Sequence, residues 1–169
     1  MENKRLDLGV VPNIHAESFG EPGQRTFRLH ADAGAGTVSL WLEKQQIVAL
    51  LTATQELLER VPSNAGHGPR ASCDSAFSGD LDVRVGTLAV GYDSGVSGFT
   101  LEAAEFETAL DLTHIRLVAA RSQMESMRDE LGEIVGRSRP RCPMCGRPLT
   151  GDSHFCPQSN GHAHLSVES

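Results

Sequence analysis

Aromatic side chains are scarce in this sequence: six Phe, one Tyr and one Trp amount to 5% of 169 residues. A core built around stacked rings is therefore excluded, and the interior has to be assembled from Val, Leu, Ile and Ala. Apolar residues make up 39% of the chain and charged ones 22%, ordinary proportions for a globular domain. No apolar run approaches the ~18 residues needed to span a bilayer, which excludes a membrane-spanning helix. The start of the chain offers no secretory leader either, because Glu2, Lys4, Arg5 and Asp7 crowd it with no apolar stretch behind them. Positive charge is also in deficit: 15 Lys and Arg against 22 Asp and Glu leave a net charge of −7, unsuited to coating nucleic acid. These deficits predict a soluble, cytoplasmic protein without membrane attachment.

Cysteine is rare but unevenly placed. Of the four, Cys142, Cys145 and Cys156 fall close together near the C-terminus, and Cys73 stands alone in a polar stretch. A secreted disulfide framework spreads its cysteines over the chain and follows a leader. Clustering without a leader predicts reduced thiolates held by a metal.

Charge and punctuation divide the chain in two. Beyond Gly136, Arg137, Arg139, Arg141 and Arg147 outnumber Asp152 and Glu168, so the tail is locally basic and the remainder carries the whole acidic excess. Gly136 followed by Pro140 reads as a helix stop and a joint. The sequence thus predicts a main domain over 1–136, and a linker with a zinc-binding tail over 137–169.

Within the main domain, Leu6, Leu8 and Val10 alternate as in a strand, and Ile14 to Phe19 forms a second. Gly20-Glu21-Pro22-Gly23 has the composition of a type II turn. Phe27, Leu29 and Ala31, then Val38, Leu40 and Leu42, predict a β-hairpin around Asp32 to Gly36. From Glu43 the period turns helical: Ile47, Leu50, Leu51, Thr54, Leu58 and Val61 share one face, and Pro62 ends it. A polar loop over 63–80 leads to two strands, Asp82–Tyr92 and Gly98–Phe106, joined at Asp93-Ser94-Gly95. His114 to Val118 is extended, and Ser122 with Glu125 reads as a capping box. Met124, Met127, Leu131, Ile134 and Val135 line the second helix. The predicted class is α+β, a mainly antiparallel sheet with two helices packed on one face and a zinc-ribbon-like tail.

Cys142-Pro143-Met144-Cys145-Gly146 is the sharpest signal. A Cys-x-x-Cys turn brings two sulfurs to one metal, and zinc takes four such ligands in a tetrahedron. Cys156 is the natural third. A zinc ribbon often closes with another Cys three residues later, but Ser159 stands there and serine is a poor ligand. The fourth place is open to His154, preferred because it lies two residues before Cys156, then to His162 and more remotely His164, with water or Asp152 as further options. A redox dithiol fits less well, since such pairs open a helix and Pro143 and the Gly146-Arg147-Pro148 run disfavour one. With so few large apolar residues, the tail needs the ion to fold, and one structural zinc per chain is expected.

Elsewhere the chemistry is thin. No Ser–His–Asp set or glycosidase carboxylate pair can be named, and Gly20 to Gly23 lacks the context of a phosphate loop. His15, His30 and His114 fall on strands without assignable partners. Glu21, Arg25, Glu43 and Lys44 near the strand-to-helix junction form a possible pocket for a small anionic ligand, which would make the chain an enzyme or enzyme subunit. The basic tail raises nucleic-acid contact, against which stand the acidic remainder and a lone stacking residue, Phe155.

Several blocks in order carry a resemblance: Gly20-Glu21-Pro22-Gly23-Gln24-Arg25-Thr26-Phe27, Leu42-Glu43-Lys44-Gln45, Arg84-Val85-Gly86-Thr87, Cys142 to Leu149, His154-Phe155-Cys156-Pro157 and Asn160-Gly161. Together they resemble the DUF3090 family of conserved hypothetical bacterial proteins, best known in actinobacteria. The resemblance spans nearly the whole chain. It implies a His two residues before the last Cys, as at His154, and a Tyr where His162 stands. It implies no established activity. The sequence therefore predicts a non-enzymatic adaptor or accessory subunit with a structural zinc site, its partner another protein.

Overall fold

The computed structural model describes residues 4–21, 23–65, 68–69, 77–106, 113–137, 142–147, 149 and 156. The chain divides into two compact units, Met1–Gly136 and Arg137–Ser169. Among the described residues the first unit holds β1 (Lys4–Val10), β2 (Ile14–Phe19), β3 (Thr26–Ala33), β4 (Ala35–Leu42), α1 (Lys44–Arg60), β5 (Ser78–Asp93), β6 (Gly98–Glu105), β7 (Thr113–Ala119) and α2 (Arg121–Gly136). No helix among them is long and apolar enough to cross a membrane.

The strands form one sheet in the order β1-β7-β6-β5-β4-β3-β2. It is mixed, with most pairs antiparallel as expected and two parallel ones added: β1 runs parallel to β7 and β4 parallel to β5, and the other neighbours are antiparallel. The physical reason for the second parallel pair is α1, which carries the chain from the end of β4 back to the start of β5 as a crossover connection does.

The short connection between β1 and β2 sets the sheet's curvature. These strands lie at opposite edges, which in a flat seven-stranded sheet are about 29 Å apart at ~4.8 Å per strand. Four Cα steps from Val10 to Ile14 reach at most about 15 Å. The sheet must curl, and the connector shows it: the Val11 N–H donates to Val118 O of β7 (2.9 Å) and the Asp32 N–H of β3 donates to Asn13 O (3.3 Å). Helix α2 seals this seam. Gln123 Nε2 donates to Val11 O (2.9 Å) and Pro12 O (2.5 Å). Glu130 accepts the edge Ala16 N–H (2.7 Å) and pairs with His15 (2.9 Å). An edge strand with an unpaired N–H invites association, and here a carboxylate occupies that donor.

Periodicity places the core. Phe27, Leu29, Ala31 and Ala33 are buried along β3, and Ile47, Leu50, Thr54 and Leu58 along α1. On α2 the buried stripe is Met124, Met127, Leu131 and Ile134. The helices pack on each other, α1 also against β5 and α2 against β2. Strand β5 changes phase midway. Val83 and Val85 face the core, then Leu88, Val90 and Tyr92 do, because the pairing with β6 slips between Val85 and Thr87. One extra residue reverses the side-chain alternation beyond it. Gly86 permits the bulge, since a Cβ there would lie 2.9 Å from Phe106 Cα. Gln46 of α1 covers the bulge by donating to Val85 O (3.0 Å) and Gly86 O (3.1 Å).

The start of α2 differs from the expected capping box. The helix opens at Arg121, and it is the Gln123 side chain that reaches back, accepting the Ala120 N–H at 2.6 Å. Glu125 instead pairs with Arg121 one turn earlier (3.4 Å).

Candidate metal centre

The second unit contributes the cysteine cluster. Cys142 to Cys145 forms a turn rather than a helix, closed by the Gly146 N–H donating to Cys142 O (2.9 Å) and the Cys142 N–H donating to Arg147 O (2.9 Å). Gly146 has φ +70°, a left-handed conformation that Gly reaches without a Cβ penalty. That reversal folds the backbone under the sulfurs. The Sγ atoms of Cys142, Cys145 and Cys156 all lie within 4.8 Å of one another, with Cys142 and Cys156 buried.

Cys142 and Cys156 sulfurs are 3.8 Å apart. A disulfide requires about 2.05 Å, and none of the three cysteines is in a disulfide. Two sulfurs bound tetrahedrally at about 2.3 Å from one zinc stand about 3.8 Å apart, so the spacing suits shared coordination. The backbone N–H groups of Cys145 and Met144 point at the Cys142 sulfur and lower its pKa below the ordinary thiol value. At Cys145 the Arg147 N–H pulls the same way, but desolvation and the neighbouring Cys156 and Cys142 sulfurs outweigh it and the pKa rises. An ion between the three would relieve the crowding of sulfur on sulfur. These residues are able to hold a metal ion.

The expected fourth ligand, His154, and its alternatives His162, His164 and Asp152 lie outside the described residues, as does Cys73.

The other expected cluster, at the strand-to-helix junction, is brought together in part. Arg25 and Glu43 line one cavity of about 370 Å³, with Thr26, Phe27, Trp41, Leu42 and Arg84. Glu21 and Lys44 are not among its lining residues. Sequence reasoning passed over Arg84 and Trp41, which sit side by side in the β4–β5 register. Arg84 pairs with Glu43 across the cavity (3.0 Å). Its position there depends on the parallel pairing of β4 with β5, and no local pattern in the sequence signals that.

Curled mixed sheet, two helices and a cysteine knuckle define an α+β protein equipped to take a metal ion in its C-terminal unit. The family model described as "Protein of unknown function (DUF3090)" matches residues 7–156, and the chain belongs to that family. No curated protein and no solved structure matches it.

Proposed function

We propose that this chain is a non-enzymatic adaptor or accessory subunit whose C-terminal unit is organised by one structural zinc. The carrying observation is the convergence of three thiols on a space the size of one ion. Zinc is the metal favoured by thiolate-rich tetrahedral sites in a reducing compartment. His154 is the preferred fourth ligand, with His162 the alternative. A fully protein-ligated ion has no position for substrate, so its role is to hold the tail together.

One feature beside the site supports the adaptor reading. The knuckle presents Met144, 56% exposed, beside the ion-binding thiols, an apolar side chain suited to a protein partner. The test is affinity purification of the tagged full chain from its native cell, with His154→Ala and His162→Ala variants analysed for zinc. A partner recovered with wild type and lost from the zinc-depleted variant supports the reading. Reproducible turnover of a substrate with no partner recovered would overturn it.

A further inference from the structure

The face of the sheet turned away from the core and the helices carries an inference independent of the metal. In a chain with six Phe, one Tyr and one Trp, three rings are spent on one row across that face: Phe19, Trp41 and Phe106. Phe19 and Phe106 are 43% and 50% exposed, and Trp41 is half-buried. Trp41 of β4 stands in register with Arg28 of β3 and Arg84 of β5. The Arg28 guanidinium lies 5.0 Å from the Phe19 ring centroid and 5.5 Å from that of Trp41, and the two rings tilt against each other at 6.2 Å. Arg84 lies 5.6 Å from the Phe106 ring. Each guanidinium is neutralised in place, Arg28 by Glu17 and Arg84 by Glu43. The row is thus a platform of rings and guanidiniums with its charges paired. Contiguous exposed rings mark interaction surfaces, and Trp and Arg are enriched among the side chains that dominate protein contacts.

Beside the platform the same face is acidic. Asp82 and Asp80 lie two and four residues before Arg84 on β5, and Asp32 of β3 stands in register with Thr37 and Asp80. Asp32 accepts from Asn13 (2.9 Å), Asp80 from the Thr37 hydroxyl (2.7 Å) and Asp82 from the Trp41 indole N–H (2.9 Å). All three donors are neutral, so these carboxylates have no paired cation. Strands β3, β4 and β5 are hydrogen-bonded to a neighbour on both sides, which leaves no backbone edge for strand addition. A partner must be read by side chains. A polyproline II segment suits such a surface, because its backbone stays solvated and aromatic platforms seat its rings. Its rise of ~3.1 Å per residue runs close to the ~3.3 Å of a strand. A basic side chain about four residues from a proline on Trp41 therefore meets Asp80, with Asp82 on the way. Single-stranded nucleic acid also stacks on rings, but the three carboxylates repel its phosphates. A second copy would set those carboxylates against another chain of net charge −7.

We propose that this face docks a proline-rich segment of another protein, one carrying Arg or Lys about four residues from the docked proline. Phe19, Trp41 and Phe106 seat the apolar part, and Asp32, Asp80 and Asp82 take the basic end.

The test titrates the full chain with the peptide Pro-Leu-Pro-Pro-Leu-Pro-Arg-Arg, with the same peptide ending in Glu-Glu, and with oligothymidylate. Emission of Trp41, the single Trp, reports binding without labelling, and calorimetry confirms it. The basic peptide should saturate and weaken as salt is raised, and the acidic one should bind about tenfold more weakly or not at all. Phe19→Ala or Phe106→Ala, both at exposed positions, should weaken the basic peptide about tenfold. Asp80→Asn combined with Asp82→Asn should weaken it about threefold or more and flatten the salt dependence. Cys142→Ser should bind like wild type, which separates this surface from the zinc reading. Urea unfolding verifies that each variant is folded. No saturable response to the basic peptide, equal binding of the acidic one, or tighter binding of oligothymidylate would overturn the proposal. So would an affinity unchanged in the folded Phe or Asp variants, or one lost in folded Cys142→Ser.

Discussion

Replacing Gly36 and Gly132 by alanine should have opposite effects on stability, although the chemical change is the same. A Cβ on Gly36 would sit 1.9 Å from Gly79 O and 2.7 Å from Gly79 N. Both are backbone atoms of the neighbouring strand, since Gly36 pairs with Gly79 across β4 and β5, so no side-chain rotation relieves the overlap. An ordinary contact begins near 3.4 Å, and the strands would have to part by about 1.5 Å. Ladder hydrogen bonds of about 2.9 Å do not survive that stretch. Losing two at about 1 kcal/mol each, with about 1 kcal/mol of overpacking strain, gives a destabilisation of roughly 3 kcal/mol. Gly132 lies within α2, and a Cβ there meets nothing within 4 Å. Alanine should stabilise that helix by about 0.8–1 kcal/mol. Urea unfolding followed by Trp41 fluorescence reads both, because the indole is bonded to Asp82 across the same β4–β5 pairing. At a typical urea slope of ~1–3 kcal/mol/M, Gly36→Ala should lower the midpoint by about 1 M or more. A Gly36→Ala protein within about 0.5 kcal/mol of wild type, or a destabilised Gly132→Ala, would refute the reasoning.

Thr54 is fully buried on α1 and its hydroxyl has no hydrogen-bond partner among the described residues; Thr54→Val keeps the shape and should raise stability by about 1 kcal/mol in the same urea experiment. Glu130→Ala uncovers the edge Ala16 N–H and releases His15, so thermal unfolding should show a loss of about 1–2 kcal/mol, with Glu130→Gln less affected because it keeps an acceptor. Cys73→Ser should leave zinc content unchanged on metal analysis, since Cys73 stands far in sequence from the Cys142-x-x-Cys145 knuckle and Cys156.

Much of this fold can be read from local patterns. Alternation marks β2 and the β3–β4 hairpin, and the Ile47, Leu50, Thr54, Leu58 stripe marks α1, because burial on one face imposes its period on the residues. Cys-x-x-Cys-Gly is legible for a similar reason: the turn needs a left-handed residue at Gly146. What local pattern does not carry is pairing between distant segments. The parallel β1–β7 contact joins the two ends of the first unit, and a polar stretch separates α1 from the start of β5 at Ser78. The strand over Asp82–Tyr92 is legible, but the bulge at Gly86 reverses its phase, so no single alternation tells which of its side chains face the core. Arg84 therefore reaches Glu43 only through tertiary pairing, and half of that cavity stays invisible in sequence. The capping residue of α2 was displaced because Ser122 and Gln123 both suit a helix start, and the hydrogen bonds of Gln123 to Val11 and Pro12 decide which one reaches back.

Metal content of the purified full chain tests the central claim most directly. Inductively coupled plasma mass spectrometry on wild type and Cys142→Ser should find about one zinc per wild-type chain and almost none in the variant. Circular dichroism should show the Met1–Gly136 unit still folded in Cys142→Ser, because its core contains none of the three ligand cysteines. Wild-type protein prepared under reducing conditions without stoichiometric zinc, or a Cys142→Ser variant that keeps it, would contradict the account.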